Sequence, residues 1–393
     1  MAGTVIAAGA RTPIGKLSGA LSSFSAAQLG GFAIAEALQR AGITGDQVDM
    51  VIMGHVIEAG AGQITARQAA VAGGIPMSVP ATTINKVCLS GLNAIYLADL
   101  MINAGEADIV IAGGMESMTQ APYLLPGARA GYRLGDNKVI DSMMYDGLTC
   151  AFDDCAMGLG TDRYNQKHGI SRERQDAFSA GSHAKAAAAI ADGRMAEEIV
   201  AVAVPQRKGD PIMVTTDEGV RVETDYASLE KLRPAFDKEG SITAGNASQI
   251  SDGACAVVVM SKKKAEELGI RGLGELVAFG EVAGPDASLL TQPARAIKKA
   301  LSKTDLTLDD IDLFELNEAF ACVGLASADE LGIDEAKINV NGGAIALGHP
   351  LGASGAKLCA TLLNELERTG GKYGLITMCE GGGLANATII ERV

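Results

Sequence analysis

The sequence is poor in aromatic side chains: it has no tryptophan, and aromatic residues make up 4% of its 393 positions. It also lacks an uninterrupted apolar run of about 18 residues, the length that a transmembrane helix requires. The segment Met1–Ile6 has neither the charged start nor the apolar run of a signal peptide, and Glu391–Val393 is not a peroxisomal tripeptide. We therefore expect a cytoplasmic protein that does not enter a membrane.

Basic residues are also scarce. The chain has 33 Lys and Arg against 47 Asp and Glu, a net charge of −14, so it has no general attraction for nucleic acid or anionic lipid. Its four histidines and seven cysteines show neither a His-x-x-x-His nor a Cys-x-x-Cys spacing, so we expect no metal site. In a reducing compartment, cysteines of such irregular spacing are not expected to form structural disulfides.

Small and apolar residues are abundant instead. Glycine occupies 49 positions and hydrophobic residues 48%, a composition typical of closely packed α/β layers. The segment Ala33–Asp49 recurs without a gap as Ala296–Asp312. In both copies an apolar period of 3.6 residues predicts a helix, and the turn and apolar run that follow predict a strand. We infer that the chain consists of two related halves.

A second correspondence supports the duplication. Ser90 and Ser354, each followed by glycine, open helical patterns that lead to the apolar runs Ile109–Ala112 and Leu375–Met378. Alternating helices and near-continuous apolar strands favour a buried sheet covered by helices on both faces. Between the halves, from about 120 to 250, glycines interrupt the pattern and only the segment from Ser171 to about 190 predicts a long helix. We interpret this region as an inserted substrate-binding domain.

Two cysteines and one histidine lie in glycine-containing turns: Cys88, His349 and Cys379. Cys88 follows an apolar run and precedes a predicted helix, so we expect it at a strand-to-helix turn, where the field of the helix N-terminus lowers the pKa of a thiol. A thiolate can accept an acyl group, a histidine can take its proton, and a second thiol can act as an acid or base at carbon. The alternative is that each cysteine is a small core residue and that His349 caps a turn.

A polar pair, Asn317 and Glu318, follows the predicted strand of the second repeat. Open α/β sheets place ligand-binding groups at such strand ends. The alternative is that Asn317 caps a helix whose first turn contains Glu318.

Four motifs, in their order along the chain, closely resemble those of the thiolases. Within that family the chain resembles the members that join two acetyl groups. They are Asn85–Gly91, Asn317–Ala321, Asn341–Gly355 and Cys379–Gly383. The resemblance covers nearly the whole chain. It implies a five-layered α-β-α-β-α core made of two duplicated βαβαβαββ halves with an inserted loop domain.

The resemblance also implies domain limits. The first half would comprise residues 1–119 together with about 250–270. A loop domain that binds coenzyme A and substrate would span 120–249, and the second half 271–393. Family members assemble as dimers or tetramers, so we expect a homodimer or homotetramer.

The mechanism implied by the resemblance is a reversible Claisen condensation. His349 activates Cys88, which takes an acetyl group from acetyl-CoA; Cys379 then removes an α-proton from a second acetyl-CoA, and acetoacetyl-CoA and CoA are released. The enolate oxygen would meet His349 and a water held by Asn317. The tetrahedral oxyanion would meet the backbone N–H groups of Cys88 and Gly381. Coenzyme A enters as substrate and product, so no separate cofactor is expected.

Other positions match family contacts with the carrier. The family's pantetheine contacts are matched by Leu148, Ala244 and Ser248, and the wall of its tunnel by Ala319 and Phe320. Met157 matches a residue of the acyl pocket. The residues near the adenine and the phosphates are matched by Arg221 and Ser228. Arg129, Arg133 and Lys138 form a basic stretch that would attract phosphates, lie at an oligomer contact, or belong to a plain surface loop.

Two positions depart from the family pattern. Short-chain members commonly have histidine where this chain has Ala156, and its loss could widen the acyl pocket, so a degradative 3-ketoacyl-CoA thiolase of broader chain length is the alternative function. Glu380 stands where many relatives have an apolar residue. Pointing inward, its carboxylate would raise the pKa of Cys379; pointing outward, it would be solvated.

Two further alternatives are weaker. A decarboxylating ketoacyl synthase would need another histidine in place of Cys379. A non-catalytic acyl-CoA or lipid-binding homologue would have no chemical need for two such thiols.

Overall fold

The computed structural model describes residues 3–393. Its strands are β1 (Thr4–Arg11), β2 (Gly15–Lys16), β3 (Met50–Gly54), β4 (Ala81–Ile84), β5 (Ile109–Ser117), β6 (Tyr123–Leu124), β7 (Ile140–Asp141), β8 (Thr149–Cys150), β9 (Cys155–Ala156), β10 (Val202–Val204), β11 (Ile212–Val214), β12 (Ser251–Ser261), β13 (Gly274–Ala283), β14 (Leu313–Leu316), β15 (Tyr373–Glu380) and β16 (Leu384–Arg392).

The helices are α1 (Ala26–Ala41), α2 (Thr65–Ala72), α3 (Ser90–Asn103), α4 (Met157–His168), α5 (Arg172–Ala191), α6 (Tyr226–Leu229), α7 (Lys262–Leu268), α8 (Gln292–Leu301), α9 (Ala321–Leu331), α10 (Ala344–Leu347) and α11 (Ser354–Thr369). Within residues 3–393 no helix combines the length and the apolar character needed to cross a bilayer.

The long strands form one mixed sheet in the order β14-β15-β16-β13-β1-β12-β5-β3-β4, with β2 beside β12. β1 and β13 meet at a single pair, Ile6 with Gly274. The sheet therefore divides at this point into a first part, from β1 to β4, and a second part, from β13 to β14.

Helices cover both parts and fill the space between them. α1 and α2 pack on one face of the first part, where Ile34 shares a hydrophobic cluster with Val258. α3 and α11 lie between the parts, because Leu92 and Leu358 share a cluster with residues of both, such as Val257 and Ile376. α8 and α9 cover the outer face of the second part. Neighbouring residues of a strand point to opposite faces, so these clusters define five layers, α-β-α-β-α, as predicted.

The predicted duplication is visible in the topology. α1 and α8 are each followed by a 3₁₀ turn, Gly45–Gln47 in the first half and Leu308–Asp310 in the second, and then by β3 or β14. α3 and α11 begin at Ser90 and Ser354, as predicted, and lead to β5 and β15. The strand pairing has the same register, because Met50 pairs with Val110 as Leu313 pairs with Gly374.

The region between the halves leaves the sheet and returns to it. β5 and β12 pair directly along their length, from Asp252 with Ser117 to Met260 with Ile109, so residues between them form an excursion. Its longest helix, α5, begins after Ser171, whose hydroxyl accepts a hydrogen bond from the Arg174 amide, as the sequence predicted. The limits of the three domains stay a prediction.

Candidate active site

Cys88 lies in the turn between β4 and α3, where the sequence places it. The Ser90 hydroxyl accepts a hydrogen bond from the Lys86 amide (2.8 Å) and donates one to the Val87 carbonyl (2.7 Å). Val87 has a φ of 44°, a left-handed conformation that is costly for a β-branched residue. The turn is therefore fixed by side-chain hydrogen bonds against local strain, and it holds the thiol in one position.

The electrostatic prediction for Cys88 is wrong. Burial raises the pKa of its thiol well above the ordinary value, and the neighbouring Cys379 and Glu380 raise it further. Hydrogen bonds from the backbone N–H groups of Cys88 and Gly381 act in the opposite direction. Loss of water around the sulfur thus outweighs these hydrogen bonds, and the pKa is raised where the sequence predicted a lowered one.

His349 occupies the turn between α10 and α11 and is 5% exposed. Its Nδ1 lies 2.6 Å from the Ser354 hydroxyl and its Nε2 lies 3.4 Å from Nδ2 of Asn317. Burial lowers the pKa of the imidazole to about 4, so the ring is neutral at physiological pH. A neutral imidazole fixed at both nitrogens is suited to accept a proton.

Asn317 and Glu318 have separate roles in the site. Asn317 faces His349, whereas the buried carboxylate of Glu318 accepts hydrogen bonds from the Ser182 hydroxyl (2.7 Å), the Asn339 amide (2.8 Å) and the Ile345 backbone (3.1 Å). Glu318 thereby anchors the segment that leads to His349. The alternative of a helix cap at Asn317 is wrong, because α9 begins at Ala321 and its cap residue is Phe320.

Cys379 and Gly381 lie at the end of β15. Burial raises the pKa of the Cys379 thiol to about 12, and Glu380 adds to the rise. Glu380 is 5% exposed, so of the two orientations considered the structure has the inward one. At Gly383, with φ of 76°, a Cβ would lie 1.9 Å from the Asp286 carbonyl, so the turn after Glu380 requires glycine.

A small cavity of about 50 Å³ joins these groups. Its walls are Val87, Cys88, Gly147, Leu148, Met157, Ser248, Leu289, Ala319, Phe320, His349, Leu351, Cys379 and Gly381. Both thiols, the imidazole and the Gly381 backbone therefore converge on one space.

A wider cavity of about 460 Å³ adjoins the first. Leu148, Met157, Ser248 and Phe320 line both cavities, so these four residues form the passage between them. Of the other predicted contacts, Ala319 lines the inner cavity, and Ala244 and the exposed Arg221 line the outer one. Ser228 lies outside both, exposed in α6, where its hydroxyl donates to the Asp225 carbonyl.

The two family departures occupy different places. Ala156 lines only the outer cavity, so its small side chain does not enlarge the space around the thiols. Glu380 follows Cys379 in β15 and lines neither cavity, but its charge acts on both thiols. The basic residues Arg129, Arg133 and Lys138 are exposed and line neither cavity.

Sequence reasoning missed two residues that build the site. Ser354 was noticed only as a helix start, although its proximity to His349 in the chain could have suggested a hydrogen bond. Glu116 is fully buried at the end of β5 and accepts hydrogen bonds from the backbone of Val56 (3.1 Å), Ile57 (3.1 Å) and Gly352 (2.9 Å). It joins the two halves beside the His349 turn, and no local pattern signals such a contact.

Comparisons with known proteins agree with this geometry. The profile of the thiolase N-terminal domain matches residues 4–263, and that of the thiolase C-terminal domain matches residues 270–392. A probable acetyl-CoA acetyltransferase of Mycolicibacterium smegmatis is 55% identical over 388 residues, which cover 99% of this chain and all of the relative. A protein of the same description from Mycobacterium tuberculosis is 54% identical over 391 residues and the acetyl-CoA acetyltransferase of Cupriavidus necator 49% over 393, each covering both chains completely. This chain belongs to the thiolase family.

Proposed function

We propose that this chain is an acetyl-CoA acetyltransferase, which condenses two molecules of acetyl-CoA into acetoacetyl-CoA and CoA through an acetyl-Cys88 intermediate. The observation that carries the proposal is the convergence of Cys88, His349 and Cys379 on one cavity of about 50 Å³. Two thiols and a neutral imidazole at the closed end of a passage provide a nucleophile and two proton carriers in one place.

The first half-reaction uses Cys88 and His349. The Ser354 hydroxyl donates to the Pro350 carbonyl (2.9 Å), which leaves its oxygen to accept the Nδ1–H of His349. Nε2 then carries the lone pair that removes the proton of Cys88. The sulfur attacks the thioester carbonyl of acetyl-CoA, and the backbone N–H groups of Cys88 and Gly381 meet the developing oxyanion. The C–S bond to CoA breaks, and CoA leaves with the proton that His349 took from Cys88.

The second half-reaction uses Cys379. His349, neutral again, takes the proton of Cys379. The thiolate so formed removes an α-proton from a second acetyl-CoA, and the enolate carbon attacks the acetyl group on Cys88. The enolate oxygen is met by His349 and a water held by Asn317. The new C–C bond forms and the C–S bond to Cys88 breaks, which releases acetoacetyl-CoA, and His349 returns a proton to the Cys88 sulfur. In the direction of thiolysis Cys379 returns its proton to the leaving enolate carbon.

The small inner cavity favours a two-carbon acyl group. Met157 and Leu351 are among its walls, so a longer chain would have to displace them. The pantetheine arm would occupy the outer cavity, between Ala244, Ser248 and Phe320, with Arg221 near the phosphates. No separate cofactor takes part in this scheme, because coenzyme A is both carrier and substrate.

We further propose that the chain works in the cytoplasm as a homodimer or homotetramer. β4 lies at the end of the sheet order, and the segment 123–145 exposes large apolar side chains, among them Leu134 and Val139. Sheet edges and exposed apolar groups of this kind are typically covered by another chain. Sedimentation of the purified protein at several concentrations tests the assembly.

The decisive experiment for the reaction is a comparison of CoA-dependent thiolysis rates. The substrates are acetoacetyl-CoA, 2-methylacetoacetyl-CoA, 3-ketohexanoyl-CoA and 3-ketooctanoyl-CoA. We expect a strong preference for acetoacetyl-CoA in the wild type, and a shift toward the six-carbon substrate in Met157→Ala. Ala156→His is the matched control, which we expect to leave the ranking unchanged. Equal or faster turnover of the longer substrates by the wild type would favour a degradative 3-ketoacyl-CoA thiolase, and no turnover would favour a binding protein.

A further inference from the structure

One buried carboxyl group beside the thiols has no part in the reaction scheme. Glu380 ends β15, is 5% exposed, and its Oε2 has no hydrogen-bond donor among residues 3–393. The matching register of the two halves makes Glu116 its counterpart at the end of β5, and Glu116 accepts three backbone hydrogen bonds. A buried carboxyl oxygen without a donor is costly and calls for an explanation.

The surroundings of Glu380 connect it to the surface. Glu281 of β13 pairs across the sheet with Asn386 of β16, and Asn386 pairs with Met378, two residues before Glu380. Their side chains therefore lie on one face of the sheet. The Asn386 amide is fully buried and, within the described part of the chain, has no hydrogen-bond partner at either atom. This polar strip leads from Glu380 to Glu281.

The outer end of the strip is charged. Glu281 forms an ion pair with Lys86, and the two side chains are 41% and 22% exposed. Lys86 belongs to the turn that carries Cys88. The titratable groups that act on Glu380 or respond to it are thus Lys86 and Cys88 from the catalytic turn, Glu281 from β13, and Cys379 on its own strand.

We propose that Glu380 is a positioning residue whose charge state controls how readily Cys379, and with it Cys88, gives up its proton. The proposal rests on the reaction assigned to Cys379 above. A neutral Glu380 permits thiolate formation, and an ionised Glu380 opposes it. The Lys86–Glu281 pair determines the pH at which the change occurs.

The electrostatic directions agree with this assignment. Burial raises the pKa of Glu380 to about 8; Lys86 opposes the rise and Glu281 adds to it. The carboxyl is therefore mostly uncharged at pH 7 and becomes charged above about pH 8. Once charged, it raises the pKa of both thiols. The thiols are consequently less reactive in alkaline solution than their burial alone would make them.

The test measures alkylation of Cys379 and requires no turnover. In a Cys88→Ala background, the rate of iodoacetamide labelling of the Cys379 peptide is followed by mass spectrometry from about pH 6 to 10, with Glu380 or with Glu380→Gln. We expect equal rates below about pH 7 and rates about three- to tenfold higher in Glu380→Gln above about pH 8, because one pKa unit is a tenfold change in thiolate. A rate ratio that does not change with pH would overturn the proposal.

Three further variants make the result specific. Lys86→Met should move the onset of the difference to higher pH, and Glu281→Gln should move it to lower pH, since their charges act on Glu380 in opposite directions. Glu315→Gln is the matched control: Glu315 is buried, its Oε2 also has no donor among residues 3–393, and burial raises its pKa to about 8, but it is not among the charges that act on either thiol. An equal effect of Glu315→Gln would contradict the assignment.

The outcomes separate this proposal from the proposed reaction. A pH-dependent ratio in a protein that does not turn over acetoacetyl-CoA would sustain the role of Glu380 and reject the acetyltransferase. Normal turnover with a labelling-rate ratio that does not change with pH would sustain the acetyltransferase and reject the role of Glu380. If Glu380→Gln does not fold, the test uses the protein that retains Glu380: the pH at which the rise of the Cys379 labelling rate slackens should move up in Lys86→Met and down in Glu281→Gln.

Discussion

The two halves place different side chains at equivalent points of the same fold. At the start of α3, the Ser90 hydroxyl bonds the Lys86 amide and the Val87 carbonyl and so shapes the turn around Cys88. At the start of α11, Ser354 bonds the Pro350 carbonyl and also the ring of His349. One copy of the motif presents a nucleophile and the other a base. The duplicated scaffold brings both helix N-termini into the middle layer, and their divergence supplies the chemistry.

The ends of the central strands differ in the same way. In the first half, the last residues of β5 include Met115 and Glu116, a core residue and a carboxylate that anchors backbone. In the second half, the equivalent positions are Cys379 and Glu380, a reactive thiol and a carboxyl without donors among residues 3–393. The end of β5 thus anchors backbone, whereas the end of β15 carries the groups assigned to proton transfer.

The largest difference is expected between truncation of Cys379 and truncation of Met115, its counterpart in the first half. We expect Cys379→Ala to reduce condensation and thiolysis by about a thousandfold or more while acetyl-CoA still loads Cys88, because only the proton transfer at carbon is lost. Met115→Ala should retain turnover but lower the free energy of unfolding by about 2–5 kcal/mol, since a buried side chain is replaced by a cavity.

Mass spectrometry of the Cys88 peptide after exposure to acetyl-CoA measures the loading, and a coupled assay measures condensation. Cys88→Ala is the control, in which both activities should disappear. Full condensation by Cys379→Ala would sink the role assigned to that thiol.

A smaller effect is expected at the paired serines. Ser354→Ala removes the hydrogen bond that fixes Nδ1 of His349, so we expect kcat to fall about tenfold with KM little changed, as for other residues that orient a catalytic group. Ser90→Ala should slow acetyl loading of Cys88 and leave condensation by preloaded enzyme unaffected. Ser354→Thr, which restores a hydroxyl, should recover most of the activity. Unchanged kcat in Ser354→Ala would show that packing alone orients the ring.

The contrast between the two carboxyl groups can be tested through stability. Glu116→Gln replaces an acceptor of three backbone hydrogen bonds by an amide with one acceptor oxygen, so we expect a loss of about 1–3 kcal/mol in the free energy of unfolding. Glu380→Gln, which loses no such bonds, should change it by less than about 1 kcal/mol. Denaturant titrations at neutral pH measure both. Equal losses would mean that Glu380 is held by contacts as strong as those of Glu116.

The sequence could predict what depends on local periodicity. The starts of α3 and α11, the strands of the repeats and the turns of Cys88 and His349 follow from apolar spacing and glycine positions, which constrain the chain over a few residues. The sequence could not predict which of two equivalent positions reacts. The pKa of Cys88 was expected in the wrong direction because desolvation depends on residues distant in the chain, such as Met157 and Phe320, which close the cavity.

The same limit applies to polar side chains. Asn317 and Glu318 are adjacent, and their separate roles depend on Ser182, Asn339 and His349, which the fold brings from three other segments. Glu116 reaches across to Gly352 of the other half. Such contacts follow from the packing of the two halves and have no signature in either segment alone.

The smallest effect on activity is expected at His55, which stands in the first half where Glu318 stands in the second. Its Nδ1 lies 3.0 Å from the Thr65 hydroxyl and its Nε2 3.4 Å from Glu116, outside the reactive cavity. If the end of β3 only supports the fold, His55→Gln should keep kcat within about twofold of the wild type. A tenfold loss would show that this strand end takes part in the reaction.

The same variant has a second, pH-dependent readout. Burial lowers the pKa of His55 to about 4, below its ordinary value of 6.5. A lowered pKa means that the stability contributed by the neutral ring is present above about pH 6.5 and is lost as the pH falls through about 4. We therefore expect the drop in Tm between pH 7 and about pH 4.5 to be smaller in His55→Gln than in the wild type. Burial lowers the pKa of His349 to about 4 as well, so His349 contributes a similar share of the drop in Tm. His349→Gln should therefore reduce the drop in Tm as much as His55→Gln does. Equal reductions would show that the buried histidines of the two halves respond alike to acid although their chemical roles differ.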